Sequence, residues 1–343
     1  MGPMFMLLLL VVGFGAFAYS ANKRWRLLRI GAPANRFDRI ADRARATWNY
    51  AFLQLRMRRY PIAGLAHMVI FLGFIVLLPR TLILWGRAFD ESFNLWVFEP
   101  EGSIGKAYSL LKDVFAVLVV LGALTFVYFR VIKKLGRLTL NVEGLVILGI
   151  ILTMMIADIV YDGASMVRAS REASATVGFH AWEPAGSVAQ FVFSAFPDTA
   201  LAVIRHLGFW THSILVLLFL NLLPYSKHFH IITGVPNVFA QNLDSPGRLP
   251  TIEDMDGKLE REETLGIRRI EQFSWKSILD FYTCTECGRC SDHCPATKTG
   301  KKLSPKHFTI DLRNFLYENQ EELIAEGAAK NGALTIRMPS TAK

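Results

Sequence analysis

IAGLAHMVIFLGFIVLLPRTLIL, residues Ile62–Leu84, is a nearly unbroken apolar run. A helix needs about 20 predominantly apolar residues to cross the hydrocarbon core of a bilayer. Four further apolar runs are long enough to be read in the same way, at approximately 4–20, 108–131, 142–160 and 199–223. The sequence therefore predicts an all-α membrane protein built on a bundle of five transmembrane helices.

The composition agrees with a membrane protein. Hydrophobic residues make up 52% of the 343 positions and include 25 Phe, which is too apolar for an ordinary soluble protein. The formal net charge of +9 alone would suit nucleic-acid binding. The basic residues flank the apolar runs, however, as they do beside membranes. The pattern favours a lipid bilayer as the partner and argues against nucleic acid.

The loop charges predict the orientation of the spans. Residues 21–60 contain eleven Lys or Arg against two Asp, and the loop after the third run is purely basic, whereas loops 86–105 and 158–198 are acid-rich. Basic loops stay in the cytoplasm, so the N-terminus is expected outside and the chain after the fifth span inside. The first run lacks a basic leader and a clear cleavage site, which predicts an uncleaved span.

Two helices are predicted outside the spans. Asn35–Tyr60 is basic and partly amphipathic, which favours a helix lying along the cytoplasmic headgroups over a docking surface for an acidic partner. Ser304–Glu326 is predicted as a helix, with Ser304 as its cap and Pro305 at its first position. Between them, Glu253–Glu263 predicts a short solvated helix within a polar linker.

All four cysteines fall in CTECGRCSDHCP, residues Cys284–Pro295. In the pattern C-x2-C-x2-C-x3-C-P, the first three thiolates can reach different irons of one cubane, and the fourth ligates the other cluster in two-cluster ferredoxins. Zinc is less suited, because its sites usually show two separated pairs of ligands. A disulfide fits poorly, because the spacing is short and the flanks look cytosolic. The pattern predicts iron–sulfur ligation by Cys284, Cys287, Cys290 and Cys294.

The pattern also leaves a shortage of ligands. If Cys294 serves a second cluster, the first cluster lacks a fourth thiolate, and the sequence has no fifth cysteine. Either Cys294 returns to its own cluster, or ligands come from a partner or from a continuation beyond Lys343. We expect the last of these, with this chain being truncated.

Histidines in or beside the spans are candidate haem ligands, because intramembrane ionisable residues are costly and default to functional roles. His67 lies near the cytoplasmic start of the second span, and His230 follows the fifth. One imidazole from each of two helices at matching depth would hold a b-type haem, which predicts the pair His67 and His230. Pro224 could rotate the end of the fifth span, which leaves His228 as the substitute for His230.

His212 lies 18 positions before His230, which is five helical turns, or about 27 Å, along the same face. At that depth it could hold a second haem or line a quinone pocket. A core histidine hydrogen-bonded to a neighbouring helix is the alternative for each of these residues. Arg205 and Asp158 are further charges toward the outer half, and simple pairing with each other is expected before a contact to a haem propionate or a quinone oxygen.

Several of these segments resemble known proteins. PIAGLAH, ending at His67, WTH, ending at His212, and LPYSKHFH, ending at His230, are similar to the membrane domain of the respiratory nitrate reductase gamma subunit and to the cytochrome b subunit of heterodisulfide reductase. FYTCTECGRCSDHCP, residues Phe281–Pro295, resembles the ferredoxin-type region of heterodisulfide-reductase-related proteins. Joined in this order, the membrane segments and the cysteine segment resemble bacterial membrane iron–sulfur oxidoreductases that link electron-transferring flavoprotein to the quinone pool.

The resemblance implies one [4Fe-4S] cluster on Cys284, Cys287 and Cys290, with Cys294 on a second. It implies haem b between His67 and His230, with His212 at the position of an outer haem. Leu77 stands where the nitrate reductase subunit has a second histidine, which puts the outer haem in doubt. The relatives also continue into further cysteine motifs, which agrees with a truncated chain.

Together these observations predict a cytochrome b-like membrane domain over 1–232, a linker over 233–269, and a small cytoplasmic α-helical ferredoxin-like segment over 270–343. The expected function is quinone-linked electron transfer in the bacterial cytoplasmic membrane, from a soluble donor such as electron-transferring flavoprotein. One alternative is a quinol-oxidising subunit of a heterodisulfide-reductase-like or nitrate-reductase-like complex. Another is a membrane anchor whose cluster is structural.

Overall fold

The computed structural model describes residues 2–244, 252, 254–263 and 265–328, and within these residues the regular structure is helical, without a β-strand. Five helices there are long and apolar enough to cross a membrane. They are α1 (Pro3–Leu28), α3 (Pro61–Gly86), α4 (Ser103–Val127, continued by a π-helical turn over Tyr128–Ile132), α5 (Val142–Glu172) and α7 (Asp198–Leu222). The predicted all-α fold with five apolar helices is confirmed.

The shorter helices lie between and after these. They are α2 (Ile40–Thr47), α6 (Pro184–Phe193), α8 (His230–Phe239), α9 (Met255–Glu260), α10 (Trp275–Thr283), α11 (Arg289–Asp292), α12 (Pro295–Lys298), α13 (Pro305–Glu318) and α14 (Gln320–Ala328). The chain forms two compact units. The bundle unit comprises Met1–Phe17, Arg56–Gly136 and Leu140–Leu222, and the cluster unit comprises Ala18–Leu55, Arg137–Thr139 and the described residues from Leu223 on.

Glycines allow close helix packing in the bundle unit. A Cβ on Gly208 would lie 2.7 Å from the carbonyl oxygen of Ala157, and one on Gly73 would lie 2.2 Å from a methyl carbon of Val119. Small residues of this kind let helix backbones approach where no hydrophobic effect drives association. α7 therefore packs tightly on α5, and α3 packs tightly on α4.

The fourth spanning helix is longer than predicted. The sequence placed its end near Val160, but α5 continues to Glu172. Asp162, one turn beyond Asp158, is buried and paired with cations of neighbouring helices instead of facing water. A carboxylate that is neutralised inside the bundle does not end the helix, so α5 runs past the predicted span, whose bounds in the bilayer stay a prediction.

The predicted helix over Asn35–Tyr60 is broken into short pieces. Only α2, a π-helical turn (Trp48–Phe52) and a 3-10 turn (Leu55–Arg59) form. Arg43, in α2, points inward instead of facing headgroups, and it donates hydrogen bonds to the carbonyls of Phe239 and Gln241. These contacts favour a short anchored helix over a long one, and the lipid contact of this segment stays a prediction.

The helix predicted over Ser304–Glu326 forms as two helices, α13 and α14. Ser304 accepts a hydrogen bond from the backbone N–H of His307, so the predicted cap and the Pro305 start are confirmed. The helix stops at Asn319, whose side-chain amide donates to the carbonyl of Phe315 at 2.9 Å. In the linker, α9 confirms a short helix, while Glu253 lies outside the described residues.

Candidate functional site

The four cysteines lie on a tight loop between short helices of the cluster unit. Cys284 directly follows α10, and Cys290 lies in α11. Gly288 adopts the left-handed backbone conformation with φ +73°, which brings the loop back toward α11. Cys294 is the N-cap residue of α12, with Pro295 at the first helical position. The motif thus consists of a short loop and the beginnings of two short helices, α11 and α12.

Cationic side chains hold this loop. Arg289 donates from Nε to Sγ of Cys287 at 3.2 Å, and Arg137 donates from Nη1 to the carbonyl of Cys287 at 2.8 Å. Arg313 donates from Nη1 to the carbonyl of Cys284 at 3.1 Å. These contacts place positive charge where thiolates and a reduced cluster would carry negative charge.

The thiols differ in acidity because their surroundings differ. Burial raises the pKa of Cys284. Burial also opposes ionisation of Cys287, but the backbone hydrogen bond and the positive charge of Arg289 outweigh it and lower the pKa. The backbone N–H of Thr297, at the start of α12, is the main cause of a lowered pKa at Cys294. Two of the thiols are therefore disposed to ionise, as iron ligands must.

Within the described part of the chain, no three His, Cys, Asp or Glu side chains converge as a preformed metal site. The donor set still fits an iron–sulfur cluster, because it offers four thiols on one loop, two of them with lowered pKa, and a cation bonded to a ligand sulfur. The assignment of Cys284, Cys287, Cys290 and Cys294 as ligands stays a prediction.

A buried carboxylate inside the motif links the cysteine loop to the segment after the fifth spanning helix. Glu286 accepts from Nη2 of Arg313 at 2.5 Å and lies 3.6 Å from Nζ of Lys227. Burial alone would raise the pKa of Glu286, but the hydrogen bond from Arg313 and the charge of Lys227 lower it. Glu286 is therefore an anion held between two cations. Sequence reasoning missed this triad, because a glutamate between two cysteines of the motif looks like an ordinary polar residue of a loop.

His230 is oriented by a hydrogen bond to the backbone of the turn that precedes it. Its Nδ1 lies 3.0 Å from the carbonyl oxygen of Lys227. A carbonyl can only accept, so Nδ1 carries the proton and Nε2 carries the lone pair. Burial lowers the pKa of His230, which keeps the ring neutral near pH 7. Metal-ligating histidines usually show this hydrogen bond from the other ring nitrogen. The ring centroid of His228 lies 6.1 Å from that of His230. His228 stays the predicted substitute for His230 as a ligand.

The remaining histidines lie in the bundle unit. His67 is half-buried in α3, and its pairing with His230 stays a prediction. His212 is buried in α7, where Nδ1 lies 3.4 Å from the carbonyl of Met154 and Nε2 lies 3.2 Å from Oγ1 of Thr81. Both nitrogens of His212 thus have protein partners, an arrangement that favours the hydrogen-bonded core histidine over an axial ligand.

The bundle unit contains a network of buried charges, of which sequence reasoning singled out Asp158 but not Arg80, Lys112 or Asp162. Arg80 of α3 pairs with both Asp158, at 2.8 Å, and Asp162. Lys112 of α4 pairs with Asp162 and, at 3.3 Å, with Glu183. In the sequence, this network could have been recognised from the single charged residues within the apolar runs.

The expected pairing of Arg205 with Asp158 is wrong. Arg205 lies 3.6 Å from Glu91 instead, and Asp158 is occupied by Arg80, which lies deeper in the bundle. Two carboxylates one turn apart on α5 match the forked guanidinium of Arg80, so this pairing satisfies more of the buried charge.

A cavity of about 230 Å³ adjoins this network. Apolar and polar side chains line it, and they include Arg80, Tyr108, Ser109, Lys112, Asp162 and Glu183. For comparison, a cavity of about 150 Å³ in another protein binds benzene. This cavity is therefore large enough for one substituted ring.

Curated proteins show similarity to this chain over most of its length. It is 30% identical over 339 residues to "Probable iron-sulfur-binding oxidoreductase FadF" of Bacillus subtilis, covering 97% of this chain and 44% of that protein. It is 30% identical over 293 residues to "EtfAB:quinone oxidoreductase" of Syntrophomonas wolfei, covering 82% of this chain and 39% of that protein. A shorter match, 31% over 77 residues, is to "Probable membrane-anchored ferredoxin" of Chromohalobacter salexigens, covering 22% and 11% respectively.

The chain spans less than half the length of the curated relatives it matches. No family model and no solved structure matches it. The relatives' names support an iron–sulfur oxidoreductase family and electron transfer, and the five apolar helices support a membrane protein.

Proposed function

We propose that this chain passes electrons from a soluble cytoplasmic donor, electron-transferring flavoprotein, to a membrane quinone through a [4Fe-4S] cluster and a haem b. One observation carries the proposal. The cysteine loop and the His230 segment belong to the same compact unit and are in direct contact. The hydroxyls of Thr283 and Thr233 lie 3.0 Å apart, one residue before Cys284 and one turn after His230.

The cysteine loop supplies the entry point. Cys284, Cys287 and Cys290 would hold the cluster, with Cys294 directed to a second cluster, and the bound cluster would supply one-electron redox chemistry. Arg289, bonded to Sγ of Cys287, stabilises negative charge at that ligand. Arg289 would thus favour the reduced state of a cluster bound to this loop.

The histidines supply the step into the membrane. His230 would bind haem iron through Nε2, with His67 as its partner, and the hydrogen bond to the Lys227 carbonyl would fix the ring orientation. A haem on the cytoplasmic side is expected because His67 and His230 both lie at the predicted cytoplasmic end of their spans.

The name of one relative and the polar cavity of the bundle unit support the quinone half of the proposal. Arg80 and Lys112 can donate to quinone oxygens, and Glu183 and Asp162 are carboxylates on the same wall. Arg80 lies 13 residues after His67 on α3, about 20 Å along the axis, so electrons would need an intermediate centre on the way. His212 contacts Thr81 beside Arg80, but both of its ring nitrogens have protein partners, so we do not assign that centre to it.

The cavity assignment is tested by filling it. Ser109→Leu and Ala169→Leu would occupy its volume while keeping every ion pair of the wall. We expect at least tenfold weaker binding of a quinone analogue, measured by titration of the purified protein. Val188→Leu, an exposed position away from this cavity, is the control. Unchanged binding in both cavity variants would place the quinone elsewhere.

The electron-transfer proposal is tested by reduced-minus-oxidised optical spectroscopy and EPR on the purified protein after anaerobic reconstitution. Cys287→Ala should abolish the cluster signal and leave the haem absorbance. Equal loss of both signals would contradict separate centres. A cluster that a quinone analogue cannot reoxidise would favour a membrane anchor with a structural cluster.

A further inference from the structure

We propose that the Lys227–Glu286–Arg313 triad couples the two metal centres, by fixing the His230 imidazole and the cysteine loop to each other. This inference rests on the proposed function and adds positioning residues to it. The triad is built from three separate parts of the cluster unit, namely the turn before α8, the cysteine motif itself and α13.

A continuous series of polar contacts runs through the triad. From the cluster side, the carbonyl of Cys284 accepts from Arg313 at 3.1 Å, and the same guanidinium donates to Glu286 at 2.5 Å. From the other side, His230 donates from Nδ1 to the carbonyl of Lys227 at 3.0 Å. The ammonium of Lys227 forms an ion pair with Glu286 at 3.6 Å, so the lysine residue itself connects the two sides.

The burial of the triad makes this series rigid. Lys227, Glu286 and Arg313 are each less than a tenth exposed. Buried charges must stay paired, because water is not there to solvate a separated partner. If Lys227 moved, Glu286 would keep only Arg313 of its two cations, so the ion pair with Glu286 restrains the residue whose carbonyl accepts the hydrogen bond from His230.

The anion and the cations of the triad have opposite electrostatic effects on the cluster. Glu286 lies between Cys284 and Cys287 in sequence, so its negative charge disfavours a reduced, more negative cluster. Lys227 and Arg313 favour that state. Replacing the anion and replacing a cation should therefore move the cluster potential in opposite directions, whereas both changes release the His230 segment.

The test compares Glu286→Gln and Lys227→Met in the full chain, reconstituted with haem, iron and sulfide. Glu286→Gln should raise the cluster midpoint potential and Lys227→Met should lower it, each by a change of about tenfold in the redox equilibrium, or 59 mV for one electron. Both should alter the haem EPR spectrum in the same direction. Lys227→Arg, which keeps the charge, should restore the wild-type haem spectrum.

Glu321→Gln is the matched control, because Glu321 pairs with Lys23 in the same unit at 3.4 Å but is exposed. It should leave both signals unchanged. A haem spectrum unaffected by both Glu286→Gln and Lys227→Met would overturn the coupling while leaving the proposed function intact. Wild-type protein without a haem signal would instead remove the haem from the proposed function, and the coupling with it. If Glu286→Gln fails to take up a cluster, Lys227→Met, outside the motif, decides the question.

Discussion

Arg137 and Cys287 are joined by a hydrogen bond from Nη1 of the arginine to the carbonyl of the cysteine, at 2.8 Å. The carbonyl of Arg137 in turn accepts from Nζ of Lys306 at 3.2 Å. Arg137 lies in the connection between α4 and α5, so this connection touches the cysteine loop directly.

Gly288 is the residue that makes this approach possible. A Cβ there would lie 2.1 Å from the carbonyl oxygen of Arg137, and the backbone has φ +73°. Gly288→Ala should therefore reduce iron and acid-labile sulfide per chain by more than half after anaerobic reconstitution, because the loop must move away from its support. Strain at positive φ alone costs roughly 1–2 kcal/mol.

Gly300→Ala separates the clash from the strain. Gly300 has φ +75° but open space around its Cβ position. We expect this variant to lose a little stability and to keep its full iron content. Equal iron loss in the two variants would show that contact with Arg137 is irrelevant to cluster binding.

The choice between His230 and His228 is testable by optical spectroscopy. His230→Ala should remove the haem band, because His230 is the ring whose Nδ1 is held by a carbonyl and whose Nε2 can bind iron. His228→Ala should retain the band. The cluster EPR signal serves as the folding control for both. The reverse result would reassign the ligand to His228.

The thiols should titrate in a defined order in the cluster-free protein. The pKa of Cys294 is lowered and that of Cys284 is raised, so with rising pH the thiolate of Cys294 forms before that of Cys284. The thiolate is the reactive form, so alkylation of Cys294 should reach half its maximal rate at a lower pH than that of Cys284. Iodoacetamide labelling across pH, read by mass spectrometry, measures both.

Thr297→Val provides the control for this order. The hydroxyl of Thr297 contributes to the lowered pKa of Cys294, after the backbone N–H. Its removal should move the labelling curve of Cys294 to higher pH and leave that of Cys284 in place. Labelling of Cys284 at a lower pH than Cys294 in the wild type would refute the electrostatic account of the loop.

The features that sequence predicted well are those written in local patterns. Apolar runs identified the five helices, and the spacing of Cys284, Cys287, Cys290 and Cys294 predicted iron–sulfur binding, which the names of the relatives support. The inward turn of Arg43 was not predictable, because its acceptors are backbone carbonyls nearly 200 residues away in the chain. The triad around Glu286 and the pairs of Arg80 likewise depend on tertiary contacts between distant segments.

Asp162 is expected to be the most sensitive charge of the bundle unit. It accepts from both Arg80 and Lys112, whereas Asp158 pairs with Arg80. Asp162→Asn would remove one carboxylate from each of two buried cations and leave Arg80 with Asp158 and Lys112 with Glu183. Breaking a buried pair by removing one partner typically costs about 3–5 kcal/mol, so this variant should unfold at a markedly lower temperature than the wild type in detergent.

Glu91→Gln is the matched control, because Glu91 is largely exposed and pairs with Arg205 at 3.6 Å. Exposed pairs contribute about 0–1 kcal/mol, so its unfolding temperature should stay near that of the wild type. Asp158→Asn should fall between the two, since Arg80 keeps Asp162. If Asp162→Asn unfolded no earlier than Glu91→Gln, the buried carboxylate could not be a structural ion-pair partner. Its place beside the cavity would then have to be explained by ligand chemistry alone.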